Sequence, residues 1–268
     1  MSASGDLAVQ EIRVSTDAGP LHAQRWTPDG AEARPPIVLL HDSLGCTELW
    51  RGFPAELARA TGHPVISYDR LGFGRSAAHP GVLAADFVGT EAQGSFAAVL
   101  EALGIERFLL LGHSVGGGMA LSMAAAYPER CVAVITESAQ SFVEALTLDG
   151  IRAARDSFAA PGQIERLEKY HPGKARWVLG AWVDTWLSPQ FRGWSLDTVL
   201  PRVRCPVLAF QGANDEFGSA RQPERIAALA AGPVSVQMLP CGHVPHRECA
   251  AQVLERVQSF VAQCRAGS

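Results

Sequence analysis

Arg107-Phe108-Leu109-Leu110-Leu111-Gly112-His113-Ser114-Val115-Gly116 is the stretch whose reading decides the fold. Residues 107–111 are an apolar run of strand length. Residues 117–127, rich in Ala, Met and Leu, carry helix-like spacing. Between them lies Gly-x-Ser-x-Gly. In a chain with 26 glycines that pattern alone arises by chance. On a sharp strand-to-helix turn it means more, because the turn exposes the serine hydroxyl at the top of a sheet, beside a helix N-terminus. Glycines two positions either side spare that turn Cβ clashes. The plainer alternative is a βα turn with an inert serine. A nucleophilic serine, by contrast, requires a base and an acid to orient the base.

Both partners occur further along. Pro206 to Phe210 reads as a buried strand and is followed by Gln211-Gly212-Ala213-Asn214-Asp215-Glu216. Val234 to Leu239 alternates like a strand and leads into Pro240-Cys241-Gly242-His243. Asp215 and His243 thus lie just past strand ends, where open α/β sheets place their ligands. Glu137, after the 131–135 strand, is the alternative acid, with a less favourable loop and chain order. His246 is the alternative base, but Pro245 and Glu248 place it at the start of the last helix.

With these residues in place, the chain resembles the α/β-hydrolase fold family over nearly its whole length. Ile37 to His41 resembles the strand that leads into that family's oxyanion loop. Tyr68-Asp69-Arg70-Leu71-Gly72-Phe73-Gly74-Arg75-Ser76 is similar to its D-x-x-G-x-G-x-S loop, and Ser114…Asp215…His243 follows its chain order. The resemblance implies that Ser114 is the nucleophile, His243 the general base and Asp215 the orienting carboxylate. It implies an oxyanion hole from the backbone N–H groups of Val115 and Ser43, with Leu44 left open as the second donor. One such donor is worth roughly 3–4 kcal/mol. One departure stands out: the family usually has Gly after the loop histidine, where this chain has Asp42. Either Asp42 tolerates a positive φ and turns its side chain onto nearby backbone, or it contacts substrate or positions a water. His41 is expected to be structural, and Asp69 to hold its loop by side-chain hydrogen bonds.

The expected fold is α/β: a mostly parallel sheet flanked by helices. Residues 1–141 and 201–268 are expected to form the core, and 142–200 a helical cap. An opening hairpin (11–15 and 21–26) precedes strands at 37–41 and 64–68, with helices expected at 47–60, 85–103 and 249–264. The 142–200 stretch holds no convincing strand, yet Ile164, Leu167 and Tyr170, then Val178, Trp182 and Trp186, fall at helical spacings. Its tryptophans, with Phe142 and Leu146, imply a largely apolar pocket. Leu44, His113 and Trp182 are the candidate substrate contacts. Tyr170, His171 and Arg152 or Arg155 are candidate polar ones.

Bulk properties exclude several classes. A charged fraction of 19% against 47% hydrophobic argues against disorder. A net charge of −4 without a Lys/Arg cluster argues against nucleic acid. No apolar run reaches the roughly 18 residues of a membrane span. Met1-Ser2-Ala3-Ser4-Gly5-Asp6 lacks a signal-peptide pattern, so a cytoplasmic location is expected. The six cysteines lack zinc spacing and are expected to be reduced packing residues. The Asp69–Ser76 loop opens no helix in a βαβ unit, so it is not read as dinucleotide-binding. The expectation is a serine hydrolase without cofactor or metal. It would act on a carboxylic ester of small or medium, partly apolar character. The small-molecule substrate is the expected partner, and homodimerisation is left open. The alternatives are a carbon–carbon bond hydrolase or lyase with the same triad, and a non-catalytic receptor or scaffold on the same fold. A serine at the elbow argues against the family's haloalkane dehalogenases and epoxide hydrolases, which use aspartate.

Overall fold

A computed structural model describes residues 7–266. Eight strands form one sheet in the order β1-β2-β4-β3-β5-β6-β7-β8. They are β1 (Leu7–Val14), β2 (Leu21–Pro28), β3 (Ile37–Leu40), β4 (Val65–Tyr68), β5 (Phe108–His113), β6 (Cys131–Glu137), β7 (Val207–Gly212) and β8 (Val234–Leu239). β1 pairs antiparallel with β2, and β2 antiparallel with β4. All other neighbours are parallel. Every residue of β3, β4 and β5 is buried, as expected of parallel strands covered on both faces.

Strand alternation divides the core into two layers. Val38, Leu40 and Leu110 pack on one face with α3 (Ser95–Ala102) and α4 (Val115–Ala126). Ile37, Leu39, Leu109 and Leu111 pack on the other with α1 (Phe53–Thr61) and α10 (Ala250–Ala266). Two expected helices are shorter than their patterns suggest. The 47–60 helix is a 3₁₀ turn at Thr47–Trp50 followed by α1, because Arg51 takes φ 54° and Pro54 sits in the first turn of a new helix. The 85–103 helix splits into α2 (Phe87–Thr90) and α3, with Gly94 outside helical geometry between them.

Three α-helices and a 3₁₀ turn connect β6 to β7: α5 (Ala145–Phe158), α6 (Gln163–Glu168), α7 (Ala175–Trp186) and the turn at Leu200–Arg202. This segment leaves and rejoins the sheet side by side. Phe142 bridges Ser195, and the Leu196 N–H donates to Ser141 O at 2.7 Å. The remaining helices are α8 (Arg221–Leu229) and the short α9 (Pro245–Glu248). After β3 the chain moves outward to β4, then crosses back to β5 on the other side of β3. The loops leaving β3 and β5 therefore diverge at their carboxyl ends, the switch point at which such sheets hold ligands.

Candidate active site

Ser114 occupies that switch point. Its backbone lies at φ 57°, ψ −124°, outside the regions a non-glycine residue ordinarily adopts, a conformation costing on the order of 1–3 kcal/mol. Backbone bonds hold it there: Ser114 N–H donates to Glu137 O at 2.8 Å, and Gly117 N–H donates to Ser114 O at 2.9 Å. The flanking glycines serve close packing. A Cβ on Gly112 would overlap the Gly116 carbonyl, and one on Gly116 would overlap that of Leu40. The positive φ falls on the serine itself. Its hydroxyl donates to Gln140 Oε1 at 3.1 Å, a partner the sequence reading missed. Gln140 is a buried amide three residues past β6, and nothing local in the sequence distinguishes it.

His243 Nδ1 lies 2.9 Å from both carboxylate oxygens of Asp215. With Nδ1–H committed to the carboxylate, Nε2 is left as an acceptor. Asp215 also receives the N–H groups of Phe217 (2.7 Å) and Gly218 (3.2 Å) and Gln211 Nε2 (2.8 Å). Burial alone would raise this carboxyl. The hydrogen bond and charge of His243, with the Phe217 N–H, outweigh it and hold the carboxyl below its ordinary value.

The alternative acid and base also meet, but elsewhere. Glu137 Oε2 lies 2.6 Å from His246 Nδ1, and both side chains are buried. Trp50 and Phe53 cover the His246 ring at 4.7 and 5.2 Å between centroids. His113 lies between the two pairs, its ring 5.0 Å from that of His243 and 5.2 Å from that of His246. Its Nε2 is 2.8 Å from His243 O, so Nε2 carries the proton. Burial, then the neighbouring His243, pushes its pKa from 6.5 down to about 4.

A cavity of about 290 Å³ opens on Ser114 and His243. Its walls come from the oxyanion loop (Asp42, Ser43, Leu44), from α5 (Thr147, Ile151, Ala154, Phe158), from α7 (Trp182, Trp186), and from Glu216 and Phe217. Among the described residues no Lys or Arg lines it, whereas the acidic residues Asp42 and Glu216 do. Leu44 and Trp182, two of the candidate substrate contacts, line it; His113, the third, does not, and its ring bonds the backbone of His243 instead. The candidate polar contacts are also elsewhere. Arg152 pairs with Asp149 and Arg155 with Asp156 on the surface. Buried His171 accepts from Gly74 N–H and donates to Leu44 O. Tyr170 is not among the lining residues. A larger cavity, about 480 Å³, lies beyond Arg70 and touches none of Ser114, Asp215 and His243.

The oxyanion loop explains itself differently from the expectation. Asp42 does not have a positive φ. Its carboxylate sits over Gly45 and reaches to 3.8 Å from His113 Nδ1. Its carbonyl receives buried Arg70 Nη2 at 2.7 Å and lies 2.8 Å from His41 Nδ1. In a trans peptide the next N–H points opposite to that carbonyl, so these contacts aim the Ser43 N–H away from Arg70. The N–H groups of Ser43 and Val115 have no acceptor among the described residues. Asp69 holds the neighbouring loop as expected, accepting from Thr47 N–H (2.6 Å) and Arg75 N–H (2.7 Å).

Comparison with known proteins identifies the fold family. The sequence model of the alpha/beta hydrolase fold matches residues 35–192. The chain is 35% identical over 113 residues to the 1-acylglycerol-3-phosphate O-acyltransferase ABHD5 of Sus scrofa, a match covering 41% of this chain and 31% of that protein. The chain thus spans under a third of the length of that relative. It is 30% identical over 168 residues to the lipase LipV of Mycobacterium tuberculosis, covering 61% of this chain and 56% of LipV. It is 27% identical over 278 aligned positions to a Variovorax paradoxus protein designated a carbamate hydrolase, RutD, covering 92% and 98%. Among solved structures, the 2-hydroxy-6-oxo-6-phenylhexa-2,4-dienoate hydrolase of Rhodococcus sp. strain RHA1 superposes with a TM-score of 0.75 at 19% identity, covering 95% and 99%.

Proposed function

The chain belongs to the α/β-hydrolase fold family, and from that premise we propose that it is a cofactor-independent serine hydrolase acting on carboxylic esters. One observation carries the reading: a strained serine and a carboxylate-bound histidine open onto the same largely apolar cavity. In the proposed mechanism the Ser114 hydroxyl leaves Gln140 and attacks the ester carbonyl carbon, while His243 Nε2 takes its proton. Asp215 stabilises the imidazolium. The carbonyl oxygen, now an oxyanion, receives the N–H groups of Val115 and Ser43. His243 then returns the proton to the departing alcohol, and the acyl group stays on Ser114. Water enters and attacks the acyl carbon as His243 takes one of its protons, and the second tetrahedral intermediate collapses to the acid while His243 returns that proton to the Ser114 oxygen.

In this reading residues 142–200 act as a cap, since α5 and α7 supply the apolar walls that would receive the acyl group. The charge of the lining favours esters over the carbon–carbon alternative. A dienoate carries a carboxylate, and this cavity is lined by two acidic residues and no Lys or Arg. The relationship to the lipase LipV supports an ester substrate. The test is turnover of p-nitrophenyl acyl esters from two to eight carbons, with Ser114→Ala as control. Turnover that disappears in Ser114→Ala supports the enzyme. Equal release by both proteins points to the receptor or scaffold alternative.

A further inference from the structure

His243 stands on residues 240–244, a loop with no helix or strand of its own between β8 and α9. A general base on a loop needs its backbone held, because proton transfer depends on where the imidazole sits. Two side chains outside the triad do this. Glu248 Oε2 accepts the N–H of Gly242 at 2.7 Å, and Oε1 accepts that of Val244 at 3.0 Å. One carboxylate thus spans the N–H groups of the two residues on either side of His243 in the chain. On the opposite side His113 Nε2–H donates to the His243 carbonyl at 2.8 Å. The Asn214 N–H anchors the start of the loop on Cys241 O at 2.9 Å. The loop's free backbone groups thereby become fixed points, and the Glu248 bonds are of the stronger, charge-assisted kind.

We propose that Glu248 and His113 are positioning residues for His243, which together hold the 241–242 and 243–244 peptide units around the base so that its imidazole reaches both Asp215 and the substrate. The inference rests on His243 being the base. It assigns Glu248 a role beyond placing a negative charge near the start of the last helices. Its geometry calls for both carboxylate oxygens: an amide offers one acceptor and turns an NH₂ toward an N–H that needs an acceptor.

Glu248 is exposed, so its variants should fold. The experiment compares wild type, Glu248→Ala and Glu248→Gln in kcat, KM and melting temperature. It adds the NMR signal of the His243 Nδ1 proton shared with Asp215. A displacement of about 1 Å at a catalytic group costs about 100-fold. Glu248→Ala is therefore expected to lose about that factor in kcat, with KM and melting temperature nearly unchanged and the Nδ1 proton signal weakened. Glu248→Gln, which keeps one acceptor, should fall between Glu248→Ala and wild type. Adding His113→Asn to Glu248→Ala should cost less than the two single losses combined, because both residues hold one loop. Wild-type kcat in Glu248→Ala with an unchanged Nδ1 signal overturns the proposal. So does a drop in melting temperature with no change in kcat, which would leave Glu248 as a helix-terminus charge. The NMR signal needs no turnover. If wild type hydrolyses no ester but Glu248→Ala still weakens the signal, the proposed function fails while the clamp stands.

Discussion

The molecule builds the same acid–histidine pair twice, and the two differ mainly in what surrounds them. Asp215–His243 and Glu137–His246 both sit at or just past the carboxyl ends of strands, and both bond a carboxylate to Nδ1. His113 lies about equally far from each. Yet His243 faces a cavity with Ser114, whereas His246 does not line that cavity and packs against Trp50 and Phe53. An acid–histidine pair therefore does not mark a site here. Access to a nucleophile does. The buried pair serves packing: it joins the end of β6 to α9, and so braces the loop carrying the open one.

The most direct way to break this contrast is to neutralise each acid in turn. Asp215→Asn should keep the fold and lower kcat by about 10⁴, because the imidazole would adopt the wrong tautomer. Glu137→Gln should leave kcat within a few-fold but lower stability by about 1–3 kcal/mol through a compromised buried hydrogen bond. Chemical denaturation and steady-state kinetics on both variants check this. An active Asp215→Asn beside a dead Glu137→Gln would exchange the roles.

His113, shared by both pairs, sharpens the contrast through pH. Its folded pKa is about 4 against 6.5 when unfolded. Neutral His113 therefore contributes stability above about pH 6.5. That contribution is lost as pH falls from 6.5 toward 4, because the unfolded chain takes up a proton that the folded one refuses. The loss amounts to about 3 kcal/mol. Denaturation between pH 4 and 7 should show His113→Asn with a shallower pH dependence than wild type. Parallel curves would mean that His113 is not buried neutral.

Asp42 lines the cavity of Ser114 and the open pair, which the buried pair does not reach. Asp42→Asn should therefore raise kcat/KM for an ester whose acyl chain ends in a carboxylate by about tenfold, relative to a neutral ester of equal length. No change in that ratio would remove Asp42 from the selection of substrate charge. The smallest expected effect comes from the far wall. Trp182→Ala removes apolar contact worth roughly 25 cal/mol per Å². KM should rise with acyl length while kcat holds. A kcat loss equal for acetyl and octanoyl esters would instead assign Trp182 to packing.

The sequence made the open pair legible and left the buried one hidden, for a physical reason. Ser114, Asp215 and His243 each follow a strand pattern with local turn chemistry, so each announces its place. The pairing of Glu137 with His246 joins residues 109 apart and leaves no local trace. The same holds for Arg70 on the Asp42 carbonyl and for Gln140 on Ser114. The parallel strands were readable from their continuous apolar runs. Helix continuity was overread where Arg51 and Gly94 interrupt a pattern that is otherwise periodic. Residue type alone offers a positive φ as one of two readings of Asp42, whereas its φ is not positive and its carbonyl is held by Arg70 and His41.

The claim that access rather than pairing makes the site rests on Ser114. Treatment of the folded protein with a fluorophosphonate, followed by peptide mass spectrometry, tests it most directly. The expected result is a single adduct on Ser114, formed rapidly in wild type and in Glu137→Gln but slowly in Asp215→Asn. An adduct on another serine, or none on folded protein, would contradict it.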